Sequence, residues 1–235
     1  GVLGGDNTIT DNIFTVSASG KAVGLPNPPA VANLAVSGND ITVGEGASLQ
    51  EALDLTGTNG SLTITAGDYS GQKAAVNIDG LTIDTVAGAI GIELGLGQGI
   101  SDVTVTGDAD VSIFGNSLNN TLIGGLGADI LEAGLGADIL TGGDGDDLFV
   151  LQPGDKSADR ITDFTTGDTV QFEDVLTDIA TDLIFSDDGN GNANVAMANN
   201  PNTTVAVFEG YSASDLQTNL TLDADGNVTL DTPST

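Results

Sequence analysis

The chain has 235 residues, 34 of them acidic and 4 basic, for a formal charge of −30, and it contains no Cys and no His. This inventory excludes disulfides, thiol catalysis and zinc–thiolate centres, and it argues against nucleic acid or an anionic membrane as partner, since both are met by clustered bases. No run reaches the roughly 18 apolar residues that a membrane span needs, so membrane insertion is not expected.

Apolar residues make up 39% of the chain but aromatics only 4%, which suits a narrow, stacked interior of Val, Ile, Leu and Ala. The 34 glycines follow no collagen-like period and point to many tight turns. The acids are lopsided, 28 Asp against 6 Glu, with fourteen of the Asp between Asp129 and Asp188. A solvated coat would use Glu as readily, whereas Asp is favoured where a short carboxylate must reach a turn or a hard cation. Turn chemistry combined with solubility is the plainer reading of the same bias.

Residues 1–39 read as an extended N-terminal arm. Gly5–Thr10 and Ile13–Ser19 look extended, and PNPP at Pro26–Pro29 breaks any element. Such an arm either runs over the surface or pairs with a neighbouring molecule. No basic-then-apolar stretch follows Gly1, so the expectation is a trimmed chain or export without a cleaved leader.

Residues 40–114 carry short alternating strands at Asp40–Val43, Ser61–Thr65, Leu81–Thr85 and Val103–Thr106, continued by Thr121–Ile123. One strand per rung of roughly 20 residues predicts a parallel β-helix, with an antiparallel sandwich as the competing arrangement. In GEGASLQEALDL, Ser48 and Glu51 fit a capping box, and Leu49, Ala52, Leu53 and Leu55 share a face. A short helix there would cover the open end of the solenoid.

Residues 115–150 divide into blocks of nine: GNSLNNTLI, GGLGADILE, AGLGADILT and GGDGDDLFV. The eighth position reads Leu122, Leu131, Leu140, Phe149, and the sixth reads Asn120, Asp129, Asp138, Asp147. An apolar and an acidic column held in one register mark a true repeat. Residues 151–235 then read as an antiparallel β cap, with strands at Ala193–Ala198 and Thr204–Phe208 and a hairpin around Asp223–Asn227. DADGN at Asp223–Asn227 opens like an EF-hand loop but lacks the twelfth-position Glu, so it reads as a turn, as does Asp187–Asn192.

The glycines of GGxGxD let a turn curl its carbonyls inward, and the sixth-position Asp adds a carboxylate. Ca²⁺ takes 6–8 oxygens, more than one such turn offers. With two nonapeptides per coil, Gly124–Asp129 faces Gly142–Asp147 on one side, and Gly115–Asn120 faces Ala133–Asp138 on the other. Asn120 and Ala133 weaken the second pair. Asp159 and Asp163 are the candidates to complete the last half-site beyond Gly142–Asp147, and Asp108 with Asp110 stand at a solvated upstream edge. Bare, the carboxylates would repel along the stack, so folding here is expected to depend on several Ca²⁺ ions.

GGLGADILE and GGDGDDLFV resemble the nonapeptides of the repeats-in-toxin (hemolysin-type calcium-binding) family, and ADRITDFTTGDTVQF resembles the segment that follows them there. The likeness spans roughly residues 107–225. It implies a parallel β-roll, calcium between coils, and type I export by an uncleaved C-terminal signal, although the tail NVTLDTPST departs from the family's apolar ending. It implies Asp129, Asp138 and Asp147 as carboxylate ligands, with the backbone of Gly125, Gly127, Gly143 and Gly145 nearby. Gly134, Gly136 and Asn120 hold the matching positions on the weaker side.

The expected fold is all-β: a right-handed parallel β-helix or β-roll solenoid with a short N-terminal capping helix and an antiparallel C-terminal cap. The primary functional reading is a secreted, calcium-binding structural or cell-surface protein (surface layer, sheath, filament or matrix) that self-associates with calcium at the bacterial surface. A cell-surface polysaccharide is a second candidate partner. The competing readings are a polysaccharide lyase or epimerase on a β-helix, and an export and folding module cut from something larger. Against the enzyme, the bases are Lys21, Lys73, Lys156 and Arg160, and Tyr69 with Lys73 is the sole conceivable acid–base cluster upstream. Asp79 and Asp84 read as strand-edge residues, and no catalytic residue is assigned.

Overall fold

The structure is a computed structural model that describes residues 7–10, 13–16, 34–37, 40–44, 47–56, 60–152, 157–172 and 176–230. Strands β1 (Asn7–Thr10), β2 (Ile13–Val16), β3 (Leu34–Ser37) and β4 (Asp40–Val43) precede helix α1 (Leu49–Thr56). The chain then winds through coils of two strands each. These are β5 (Ser61–Ile64) with β6 (Gly67–Val76), β7 (Leu81–Thr85) with β8 (Ala89–Leu96), and β9 (Asp102–Gly107) with β10 (Val111–Phe114). The nonapeptides supply β11 (Thr121–Gly125) with β12 (Ile130–Glu132) and β13 (Ile139–Gly143) with β14 (Leu148–Leu151), and β15 (Asp159–Ile161) with β16 (Thr169–Phe172) follows.

One strand of every coil joins a sheet ordered β4-β5-β7-β9-β11-β13-β15, and the other joins β6-β8-β10-β12-β14-β16. Neighbours in both rows pair parallel, which settles the fold as a parallel β-solenoid and excludes the sandwich. Leu62 pairs with Ile83, Val103 with Leu122 and Leu122 with Leu140, so the coils shorten into the repeats. The eighth-position column is divided between the sheets: Leu122 stacks on Leu140, and Leu131 on Phe149, all with no exposed surface. Burying each such side chain contributes about 1.5–3 kcal/mol, so the interior is a ladder of like residues repeated coil by coil.

The sequence reading placed one strand in each upstream rung. The structure has two, the second being β6, β8 or β10. Helix α1 lies against β6 at the start of the second sheet and does a strand's work there. Gln50 Oε1 accepts the Ala75 N–H at 2.7 Å while its Nε2 donates to Ala75 O at 3.2 Å, so one side-chain amide replaces a missing neighbour. Gln72 answers from the strand: its Oε1 accepts the Leu49 N–H and its Nε2 donates to Ala47 O. Ser48 Oγ accepts the Glu51 N–H, as the capping signal predicts. In the other sheet β2 pairs parallel with β4, and β1 pairs with β3, so these parts of the N-terminal segment pair within the chain rather than with a neighbour. Pro26–Pro29 lies outside the described residues.

At the far end come α2 (Ile179–Asp182), β17 (Leu183–Asp187), β18 (Ala193–Met197), β19 (Thr204–Phe208), α3 (Ala213–Asn219), β20 (Leu220–Leu222) and β21 (Val228–Leu230). Strand β19 adds parallel to β15, then β18 and β17 run antiparallel, while β21 pairs antiparallel with β16 and β20. This is the expected antiparallel cap. Its hinge is aromatic: Phe164 meets Phe149, Phe208 and Tyr211 edge to face, with centroids 6.3, 5.1 and 6.5 Å apart.

Candidate metal centre

The repeat turns stack in two flanks. On the first lie Gly107–Val111, Gly124–Asp129, Gly142–Asp147 and Asp163–Asp168; on the second lie Gly97–Ser101, Gly115–Asn120, Ala133–Asp138 and the turn that ends at Asp159. Within the first flank the sixth-position carboxylates form a ladder. Asp129 Oδ1 accepts the Val111 N–H at 2.9 Å, Asp147 Oδ1 accepts the Asp129 N–H at 2.8 Å, and Asp168 Oδ1 accepts the Asp147 N–H at 3.0 Å. The second flank repeats this: Asp138 Oδ1 accepts from Asn120 at 2.6 Å, and Asp159 Oδ1 accepts from Asp138 at 3.1 Å. A carboxylate on one methylene reaches the N–H one coil back; this geometry explains the excess of Asp over Glu.

The second oxygens decide what the ladder is for. Oδ2 of Asp129 and of Asp147 is buried without a hydrogen-bond partner, in side chains that are 1% exposed. Each lies over the first glycine of its own turn, and a Cβ at Gly124 or Gly142 would overlap it. Gly124 also has the Gly142 carbonyl above it, 2.8 Å from where a Cβ would stand. Gly125 and Gly143 carry φ of +125° and +110°, a region only glycine enters freely, so these turns tolerate no other residue. The turns are further pinned by Leu126 N–H donating to Gly107 O and Asp144 N–H donating to Gly125 O.

Burial acts first on these acids. It pushes the Asp129 carboxyl up to about 7, with the charges of Asp147 and Asp110 adding to the rise and the Val111 N–H opposing it. Asp147 is pushed up to about 6 by burial, then by Asp168, Asp163 and Asp146, against the Asp129 N–H. Asp168 is raised too, mainly by burial, although the N–H groups of Asp147 and Thr165 hold it back. Buried, mutually repelling oxygens beside glycine-lined carbonyls make a donor set for a small hard cation, and Ca²⁺ fits it. Among the described residues no three carboxylates converge as a ready-made cage. The donor set is therefore mixed, carboxylate with backbone carbonyl.

Asp163, a predicted ligand, stands over the last repeat turn, its two oxygens accepting the N–H groups of Gly142 and Gly143 at 3.1 and 2.9 Å. Asp159 does not stand there. It sits above Asp138 on the other flank, because the loop after β14 is longer than a repeat and changes the count. The residue above Asp147 is Asp168, which the sequence reading missed; Gly167–Asp168, with Gly167 at φ +109°, was the available signal. Asn120 takes the sixth position with hydrogen bonds alone: its Nδ2 donates to Ile100 O and Ser101 O at 3.0 and 3.2 Å. Gly134 and Gly136 hold φ of +85° and +126° on that flank, where a Cβ would meet the carbonyls of Asn116 and Leu118. On the first flank Gly127 and Gly145 abut the carbonyls of Ala109 and Gly127 one coil below. Asp110 accepts the Ala128 N–H at 2.9 Å from the exposed rim.

The other candidates are structural. Tyr69 is fully buried and its hydroxyl bonds Thr65 O at 2.9 Å, while Lys73 places Nζ 3.5 Å over the Phe114 ring, so the two do not form an acid–base pair. Asp79 accepts from Ser101 and Asp102, and Asp84 from Thr106. Asp188 and Asp223 are tied into their own turns by Asn192 and Asn227, as the turn reading held.

A solenoid whose glycine turns hold a ladder of buried aspartates is a calcium-binding β-roll. Residues 114–149 match the family model for the RTX calcium-binding nonapeptide repeat, in four copies, and such repeats bind Ca²⁺. The match covers that segment alone. No curated protein matches the chain. Among the described residues no helix is long and apolar enough to cross a membrane.

Proposed function

We propose that this protein is an exported structural component of a cell surface or extracellular matrix, set into its final form by calcium and then self-associating. The observation that carries the reading is the pair of buried, unpartnered oxygens on Asp129 and Asp147, which are tolerable only protonated or on a cation. Extracellular calcium modules bind at about 10⁻⁴–10⁻³ M, so a roll of this kind is loose in a resting cytosol and sets outside. At free calcium 100-fold above Kd the gain is about 2.7 kcal/mol per site. Type I export, in which a loose chain leaves before it sets, is consistent with that dependence. A charge of −30 keeps copies apart until divalent ions screen or bridge them, which supports calcium-driven association, with a cell-surface polysaccharide as the second partner to test. Light scattering of the full chain tests this. Particles should grow on addition of calcium and disperse with EGTA, and a chain that stays monomeric at millimolar calcium contradicts the assembly part of the proposal.

A further inference from the structure

The calcium-bearing flank does not stop where the repeats do. Asp163–Asp168 takes the place of a further repeat turn although it lies outside residues 114–149 and lacks their sequence. Three features of that turn are built around the last repeat. The Asp163 carboxylate is held over Gly142 and Gly143 by their N–H groups, where the lower turn sees only glycines. A Cβ at Gly167 would run into Asp146 Oδ1, so this glycine admits the Asp146 carboxylate from the coil below. Asp168 is 2% exposed, with Oδ1 on the Asp147 N–H and Oδ2 on the Thr165 N–H. Into this ring points Asp147, 1% exposed, its Oδ2 without a hydrogen-bond partner and its nearest charges those of Asp168, Asp163 and Asp146.

Resting on the calcium reading above, we infer that Asp146, Asp147, Asp163 and Asp168 form one more divalent-cation site, at the junction of the last repeat and the C-terminal cap, and that this site fills first. Calcium affinity follows ligand charge and site rigidity. The junction has both. It gathers four carboxylates where the neighbouring turn pair has Asp129 and Asp147, and its upper wall is held by packing that needs no metal. Phe164 is clamped among Phe149, Phe208 and Tyr211, and the Tyr211 hydroxyl donates to Phe164 O at 2.7 Å. The cap thus presents a finished half-site from which ions load toward the repeats.

Tyr211 also supplies the readout. The chain has two tyrosines and no tryptophan, and Tyr69 is buried in the first coils, so terbium(III) excited through tyrosine reports on the junction. In the full chain, sensitised emission should saturate at the first equivalent of terbium and be displaced by excess calcium. It should be lost in Tyr211→Phe, whose cation count by native mass spectrometry is unchanged. It should also be lost in Asp163→Asn, which holds one cation fewer than the parent. Asp146→Asn, on the exposed rim, is read by the same criteria if Asp163→Asn fails to fold. Terbium uptake without sensitised emission, or emission that survives these Asp→Asn changes, overturns the junction site and leaves the repeat sites standing. Absence of any cation uptake overturns both.

Discussion

Replacing Asp129 by Asn should change the sign of its effect with calcium. The substitution keeps the Oδ1 that accepts the Val111 N–H and replaces the unpartnered oxygen by an amide beside the Gly142 carbonyl. Asn120 already shows such an amide satisfied in the same column. In the metal-free chain at pH 8, Asp129 is an ionised acid whose folded pKa is raised from 3.8 to about 7. At about 1.4 kcal/mol per unit, discounted for water reaching the turn, removing the charge stabilises the fold by about 1–2 kcal/mol. In saturating calcium the same change removes a ligand, and a site filled at 100-fold over Kd is worth about 2.7 kcal/mol. Thermal unfolding followed by circular dichroism, in EGTA and in calcium, should therefore show Asp129→Asn melting above the parent in EGTA and below it in calcium. In a chain of this length 1 kcal/mol is about 2–4 °C, so both shifts are measurable. Equal destabilisation in the two conditions would refute the argument and make Asp129 an ordinary ladder residue.

The remaining expectations concern protons, glycines and the core. Because the folded pKa values of Asp129 and Asp147 are raised, their contribution to the metal-free fold is full below about pH 4 and is lost as the pH rises through 6 to 7; calcium needs them ionised and reverses that preference. Calorimetric titration near pH 6.5 should accordingly show about one proton released per chain, seen as heats that vary with the buffer, and none from these groups above pH 8. Gly142→Ala would place a methyl 2.6 Å from Asp147 Cγ, so it should destabilise the chain by about 1–3 kcal/mol and lower calcium uptake, read by equilibrium dialysis. Leu131→Ala, in the buried column between Ile113 and Phe149, should cost about 2–5 kcal/mol equally with and without calcium, which separates core loss from ligand loss in denaturant titrations.

The parts of this molecule legible in sequence are those where one residue type serves one physical need at a fixed interval. The columns through Leu122 and Asp129 repeat because every half-coil poses the same packing and the same turn. Helix α1 was readable from Ser48 and Glu51, since a cap is a local device. Strands β6, β8 and β10 were not, because Gly71, Gly91 and Gly95 interrupt the alternation and their register comes from the neighbouring coil. Asp159 and Asp168 exchanged places in the reading for one reason. The loop between β14 and β15 breaks the nine-residue count, so proximity in sequence no longer gives the flank. The parallel pairing of β2 with β4 depends on contacts distant in sequence, and nothing local announces it.

The central claim is that buried carboxylates make the roll, and not the upstream solenoid, dependent on calcium. Hydrogen exchange resolved along the chain, with calcium and with EGTA, tests it directly. Amides from about Gly115 to Asp168, including those of Val111, Asp129 and Asp147 that donate into the ladder, should gain protection with calcium, while β5 to β9 are equally protected in both. Protection in the repeats that ignores chelation, or that rises evenly through the upstream coils, would contradict it.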